Sequence, residues 1–265
     1  KPPAFERQGV TIEDLIDYTP ELRAQAVKLV SQFKIGPIFT PPVVSKWPGP
    51  LATLMLPDVT GGANWPGGSY DPETGTFYIF TNTNIAAVGL IPGADRPQKP
   101  SDMNYVRGQV VDPANPKARA LPTTVQGLPL VKPPYGRISA IDLHKGELLW
   151  QVAHGETADN IRNHPALKGV TIPRTGRQGR IGTLVTKSLV IAGEGGVFTL
   201  PDGRRGAMLR AYDKRTGQDA GAVYMPAPQT GSPMTYMLNG RQYIVVAISG
   251  QSFPGELIAF RLPQS

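Results

Sequence analysis

One turn, written twice in the same register, constrains this chain more than any other feature. Ala140-Ile141-Asp142-Leu143-His144-Lys145-Gly146 and Ala211-Tyr212-Asp213-Lys214-Arg215-Thr216-Gly217 share the form Ala-x-Asp-x-x-x-Gly. Each follows one alternating, strand-like run and precedes another. Asp142 and Asp213 stand 71 residues apart, and a related turn, Asp71-Pro72-Glu73-Thr74-Gly75, lies 71 residues further upstream. Repetition on this scale indicates a propeller or array in which one supersecondary unit stacks on the next. Asp142 and Asp213 read as turns between the third and outer strands of two blades. Asp71 reads as a turn between first and second strands, so its matching interval is coincidence.

The rest of the chain is consistent with a turn-rich all-β protein. Its 265 residues include 30 Gly and 28 Pro, yet 40% are hydrophobic, in short strand-like runs and not in disordered tracts. No apolar run is long enough to span a bilayer as a helix. Lys1-Pro2-Pro3 shows no charged-then-apolar leader pattern and reads like mid-chain sequence. Cysteine is absent, which excludes disulfides, thiolate metal sites and a cysteine nucleophile. The net charge of +7 gathers at Arg174, Arg177, Arg180, Arg204, Arg205, Arg210, Lys214 and Arg215. These mostly lie among Gly-rich turns, whereas a nucleic-acid surface would interleave them with exposed aromatics, so they read as solvated loops.

Residues 1–50 read as a helical excursion packed on the main body. Thr11 and Thr19 are N-cap signals, Pro20 suits the first helical position, and Leu22, Ala26, Leu29, Val30 and Phe33 form one stripe. From residue 51 to 265 the period becomes two, with strands expected at 51–56 and 77–81. Residues 83–135 and 154–180 read as long irregular inserts of the kind that build rims or binding surfaces. A four-strand unit follows at 181–186, 189–192, 208–212 and 218–224. The last unit, 234–237, 243–248 and 257–262 around an Asn239-Gly240 hairpin, has three strands and an open outer position.

Four stretches resemble the pyrroloquinoline quinone (PQQ) dependent dehydrogenases, nearest the membrane-bound glucose and quinate/shikimate branch. They are Ile38-Phe39-Thr40-Pro41-Pro42; Gly61-Gly62-Ala63-Asn64-Trp65 with Tyr70-Asp71-Pro72; Gly127-Leu128-Pro129 with Pro134-Tyr135-Gly136; and Pro233-Met234-Thr235-Tyr236 with Asn239-Gly240 and Tyr243. The resemblance implies part of an eight-bladed propeller: about three blades, the last without its outer strand, from the C-terminal portion of a longer enzyme. In that family the missing strand comes from the N-terminal region, and tryptophans in the blade turns lock each blade to the next. Here only Trp150 keeps that place, because Gly221 stands at the second, and Lys145 replaces the usual Thr.

The same resemblance implies oxidation of a sugar or alcohol hydroxyl in the periplasm, using PQQ and calcium, with electrons passing to a quinone or cytochrome. The catalytic Asp and most calcium ligands would belong to the N-terminal portion, so no catalytic or metal residue is assigned here. Asn64 and Trp65 match an Asn-Trp pair that sets an amide against a cofactor carbonyl; donors there raise a quinone's electrophilicity. Asn82 follows a strand where relatives carry a polar axial residue. Gly182 and Thr183 open an innermost strand. Glu194 sits in Ala192-Gly193-Glu194-Gly195-Gly196, where the alternative is a solvated turn carboxylate. Ser249, Gly250 and Gln251 end a strand near the axis, Gln251 standing where the glucose branch has His. The loop 154–163, flanked by His154 and His164, is dense in polar groups without a fixed-spacing metal motif. The rival reading is a non-enzymatic propeller scaffold that binds partners through its loops.

Overall fold

The computed structural model describes residues 2–96, 100–117, 120–250 and 253–261, and both Ala-x-Asp turns close in the same way. Asp142 Oδ1 accepts from the amides of His144 (2.8 Å) and Lys145 (3.1 Å). Asp213 Oδ1 accepts from those of Arg215 (2.9 Å) and Thr216 (3.0 Å). Gly146 and Gly217 end the turns at φ 68° and 72°, a left-handed conformation that a side chain disfavours. Each turn therefore joins two antiparallel strands by local chemistry alone.

The chain divides into two compact units. One comprises Lys1–Phe5, Ala63–Asn82 and Pro133–Ser265; the other comprises Glu6–Gly62 and Thr83–Lys132. The first unit holds three antiparallel sheets. The first of these runs Gly68–Asp71, Thr76–Asn82, Gly136–Asp142, Glu147–Ala153 in both chain and spatial order. The second runs Leu184–Val185, Leu189–Gly193, Arg205–Asp213, Asp219–Met225, with the short Phe198–Thr199 strand beside the start of Arg205–Asp213. The third has Met234–Leu238, Arg241–Gly250 and Phe253–Arg261. These are the propeller blades read from sequence, three strands in the last among the described residues.

Two apolar layers hold the sheets together. Tyr78 and Phe80 face Ala140 and Ile138 across the first sheet and pack with Ile181, Val190, Ala192 and Tyr212. Ile191, Ala207, Leu209 and Met225 pack on the other side with Val246 and Ile248. Side chains alternate faces along a strand, so Val190 and Ala192 serve one layer and Ile191 the other. The central sheet is thus covered on both faces, which is why Leu189-Val190-Ile191-Ala192-Gly193 is apolar without alternation. Each fully buried large side chain contributes roughly 1.5–3 kcal/mol. Trp150 adds the expected lock: its ring abuts Gly217, where a Cβ would lie 2.7 Å away, and its Nε1 donates to the Lys214 carbonyl at 3.2 Å.

The second unit contains the Pro20–Val30 helix, capped by Thr19, whose Oγ1 accepts from the Leu22 amide, with Leu22, Ala26 and Val30 buried. The strand expected near 51–56 forms at Thr53–Met55, but it belongs to this unit. It pairs with Ala86–Pro92, which also pairs with Val43–Val44 and Tyr105–Arg107. The segment expected to be irregular from residue 83 therefore opens with a seven-residue strand. Its Ala86-Ala87-Val88-Gly89-Leu90-Ile91-Pro92 sequence lacks alternation because side chains on both of its faces are buried or half-buried.

A further correction concerns the basic residues. Arg210 and Lys214 are buried, not solvated. Lys214 Nζ lies 2.7 Å from Asp71 Oδ2 and its carbonyl accepts from Tyr78 Oη, so the second blade's turn is tied to the first blade.

Candidate functional site

The loops entering the first strand of each sheet, and those leaving the second strand of the last two, meet at one edge of the first unit. There Asn64, Trp65 and Pro66 lead into the first sheet, Arg180 into the second, and Pro228, Gln229, Thr230 and Gly231 into the third. With Gly195, Gly196, Val197, Ser249 and Gly250 they line a cleft of about 960 Å³. Asn64 Oδ1 accepts from the Trp65 amide at 2.7 Å, and its Nδ2 has no acceptor among the described residues. Trp65 is 99% exposed, an apolar plate at the cleft wall. Among the described residues no Asp or Glu lines the cleft.

Two side-chain amides fix these loops. Gln229, buried at 3% exposure, accepts from the Gly193 amide (2.5 Å) and donates to the carbonyls of Gly182 (2.9 Å) and Gly231 (2.8 Å). Its own amide donates to the Glu194 carbonyl. Asn82 does the same nearby, donating to Gly179 O at 2.9 Å and accepting from Gly179 N at 2.8 Å. Each amide replaces several missing backbone partners at a point where the strand ladders have ended.

Beneath the cleft lies a buried charge network. Glu194, 0% exposed, accepts at Oε1 from Arg210 Nε (2.6 Å) and from the Glu156 amide (3.1 Å), while its Oε2 has no hydrogen-bond partner among the described residues. Arg210 Nη2 continues to Glu156 Oε1 at 2.7 Å, and Glu156 Oε2 meets Arg162 at 3.2 Å. Burial pushes the Glu194 carboxyl up, against the pull of Arg210. For Arg210, burial acts downward, but Glu194 and Glu156 outweigh it and hold the guanidinium above its ordinary value.

His154 is wholly buried, with Nε2 3.0 Å from the Gly193 carbonyl and Nδ1 2.9 Å from Tyr212 Oη. The carbonyl requires Nε2 to carry the proton, so Nδ1 accepts from the tyrosine. Burial pushes this imidazole down to about 4, and burial raises the Tyr212 hydroxyl. Arg177 donates to the Val197 carbonyl beside Phe198, and burial lowers its ordinary value.

The sequence model for the PQQ glucose/ethanol/alcohol dehydrogenase β-propeller domain matches residues 1–244. This chain belongs to that family. The quinoprotein propeller is 29% identical over 249 residues to the glycerol dehydrogenase large subunit of Gluconobacter thailandicus, covering 86% of this chain and 31% of that protein. Over 236 residues it is 30% identical to a probable quinate dehydrogenase (quinone) of Xanthomonas campestris pv. juglandis, covering 82% and 28%. Over 241 residues it is 26% identical to quinoprotein glucose dehydrogenase A of Acinetobacter calcoaceticus, covering 86% and 27%. The chain thus spans under a third of the length of these relatives.

Of the residues singled out from sequence, the quinoprotein propeller brings Asn64, Trp65, Ser249 and Gly250 together in the cleft. Gln251 lies outside the described residues. Asn82 and Glu194 lie behind the lining, their side chains bonded within the protein. Thr183 Oγ1 bonds the Tyr78 carbonyl (3.1 Å) and Ser69 Oγ (2.8 Å) between two sheets. Gly182 is pressed against Ser232, where a Cβ would lie 2.1 Å from Oγ. Gln229 and Arg180 were not singled out as site residues. Gln229 sits in Pro226-Ala227-Pro228-Gln229-Thr230, a stretch that reads as an ordinary loop.

Proposed function

We propose that this chain supplies the C-terminal blades of a periplasmic PQQ-dependent dehydrogenase that oxidises a sugar or alcohol hydroxyl to a carbonyl. Electrons would leave to a quinone or a cytochrome, and the N-terminal portion of the same enzyme would be its partner. The observation that carries this reading is the donor-lined cleft at the convergence of three blades, with Asn64 and Trp65 at its wall. The donor set suits a planar ligand rich in carbonyl and carboxylate oxygens, and Gly195, Gly196, Gly231 and Gly250 leave its edges open to a close approach.

When bound, PQQ supplies an orthoquinone that takes up the two electrons of the substrate's C–H bond. The Asn64 amide would stabilise negative charge on a ligand oxygen, Trp65 would offer the ligand an apolar surface, and the Gln229 and Asn82 amides hold the loops in register. Asn82, Gly182, Thr183 and Glu194 act in this scheme by shaping the wall, with Gly250 at its mouth. Among the described residues no group of three or more His, Cys, Asp or Glu side chains would hold a metal ion, and the calcium expected for the family would take most of its ligands from the N-terminal portion.

The test is reconstitution of the intact polypeptide containing this chain with PQQ and calcium. PQQ binding, followed by tryptophan quenching, and dye reduction with glucose, glycerol and quinate are measured for wild type and Asn64→Ala. The reading predicts binding and turnover that fall at least tenfold in the variant. A folded protein that binds no PQQ would refute it in favour of a scaffold.

A further inference from the structure

Seven arginines lie between residues 162 and 210, and six of them reach an acceptor. Arg162 meets Glu156, Arg174 meets Asp219, Arg177 the Val197 carbonyl, Arg204 Asp202, Arg205 Asp159, and Arg210 both Glu194 and Glu156. Arg180 reaches none among the described residues, and it is the one that lines the cleft. Around it the wall carries further open donors. The N–H groups of Gly195, Gly196 and Val197 have no acceptor among the described residues, and Asn64 Nδ2 is likewise open. A guanidinium presents a planar fork matched to a carboxylate, and free consecutive amides beside it strengthen the attraction for an anion. With no Asp or Glu among the described lining residues, no carboxylate of the wall competes for that charge.

We propose that Arg180 is the receptor for a carboxylate of the ligand that fills this cleft, assisted by the Gly195–Val197 amides. The carboxylate has two sources with the same chemistry: the cofactor, which is a tricarboxylate, or a hydroxy-acid substrate. That the cleft is a cofactor and substrate site rests on the dehydrogenase reading. That it prefers a carboxylate rests on Arg180 and the free amides alone.

The experiment is ¹H–¹⁵N NMR titration of this chain and of its Arg180→Gln and Arg180→Lys variants. One arm uses tartrate and its dimethyl ester, which keeps the hydroxyls and removes the charge. The other uses PQQ and its trimethyl ester. The amides of Gly195, Gly196 and Val197 are the reporters, and circular dichroism checks that the variants fold. An Arg180 receptor gives saturable shifts with tartrate, with PQQ, or with both. Each such binding weakens at least tenfold in Arg180→Gln and in the ester, and Arg180→Lys lies between. Dependence in the PQQ arm alone assigns the carboxylate to the cofactor, and dependence in the tartrate arm assigns it to substrate. If wild type and Arg180→Gln bind both probes within twofold of one another, or esters bind as tightly as acids, the proposal is overturned. Arg180-dependent binding of tartrate without any PQQ binding would sink the dehydrogenase reading and leave the receptor standing. PQQ binding that ignores Arg180, with no tartrate binding, would do the reverse.

Discussion

Replacing Arg210 by methionine strands a carboxylate in the core and turns it into a pH-dependent load. The methionine fills the space of the arginine stem, so the change is chiefly electrostatic. Glu194 loses its 2.6 Å partner and keeps one bond, from the Glu156 amide, with its other oxygen already unpartnered. Glu156 itself retains Arg162. A buried carboxylate left unpaired and charged costs about 3–5 kcal/mol. Taking up a proton is the alternative. From an unfolded pKa of about 4.3 that costs about 3.7 kcal/mol at pH 7 and about 1 kcal/mol at pH 5. The cheaper route sets the loss, so Arg210→Met is destabilised by about 3–4 kcal/mol at pH 7 and by about 1 kcal/mol at pH 5. The sign follows from linkage: the folded variant binds the extra proton, so its stability falls as pH rises. Urea unfolding followed by tryptophan fluorescence, at half-unit steps from pH 5 to 7.5, measures this as a difference from wild type. Adding Glu194→Gln to the variant removes the titrating group and restores about 2 kcal/mol at pH 7. A loss that stays flat across the range, or a double variant no more stable than the single, would refute the reasoning.

Three further outcomes follow from the same structure. Burial holds the folded His154 imidazole down to about 4, against an ordinary value of 6.5, so the unfolded chain binds the extra proton between them. Its stabilisation is present above pH 6.5 and lost as pH falls towards 4, by about 3 kcal/mol in all; His154→Gln flattens that acid limb in urea titrations, and parallel slopes would contradict the assignment. Asn82→Ala removes both partners of the Gly179 backbone and lowers stability by about 2 kcal/mol, and hydrogen exchange at Gly179 quickens while that at Val190 keeps its rank. Gly217→Ala drives a methyl into the Trp150 ring at a left-handed φ of 72° and costs about 3 kcal/mol, with a shift in tryptophan emission; an unchanged midpoint would show that the lock is loose.

The legible parts of the fold are those whose chemistry is local. Asp142, Asp213 and Asp71 each accept from amides two or three residues on, so their turns were visible as strings of letters. The capped Pro20–Val30 helix was legible from Thr19, Pro20 and its apolar stripe for the same reason. The strand at Ala86–Pro92 was not, because burial on both faces erases the alternation that marks a strand. Within the site, Asn64 and Trp65 were recognisable through a motif. Glu194 was found by its setting among glycines, which gave no sign that a guanidinium from Arg210, a different strand, would seal it in the core.

By itself the sequence determined the blade turns, the capped helix and the family to which the chain belongs, since these rest on contacts and motifs a few residues long. The tertiary structure alone decided which polar groups are spent and which remain to act. Gln229 and Asn82 are consumed in joining loops, Arg210 and Lys214 in balancing buried acids, while Arg180 and Asn64 face the cleft with donors to spare. The physical reason is that a charge or amide takes its role from desolvation and from partners brought close across the chain, and neither is encoded in its neighbours.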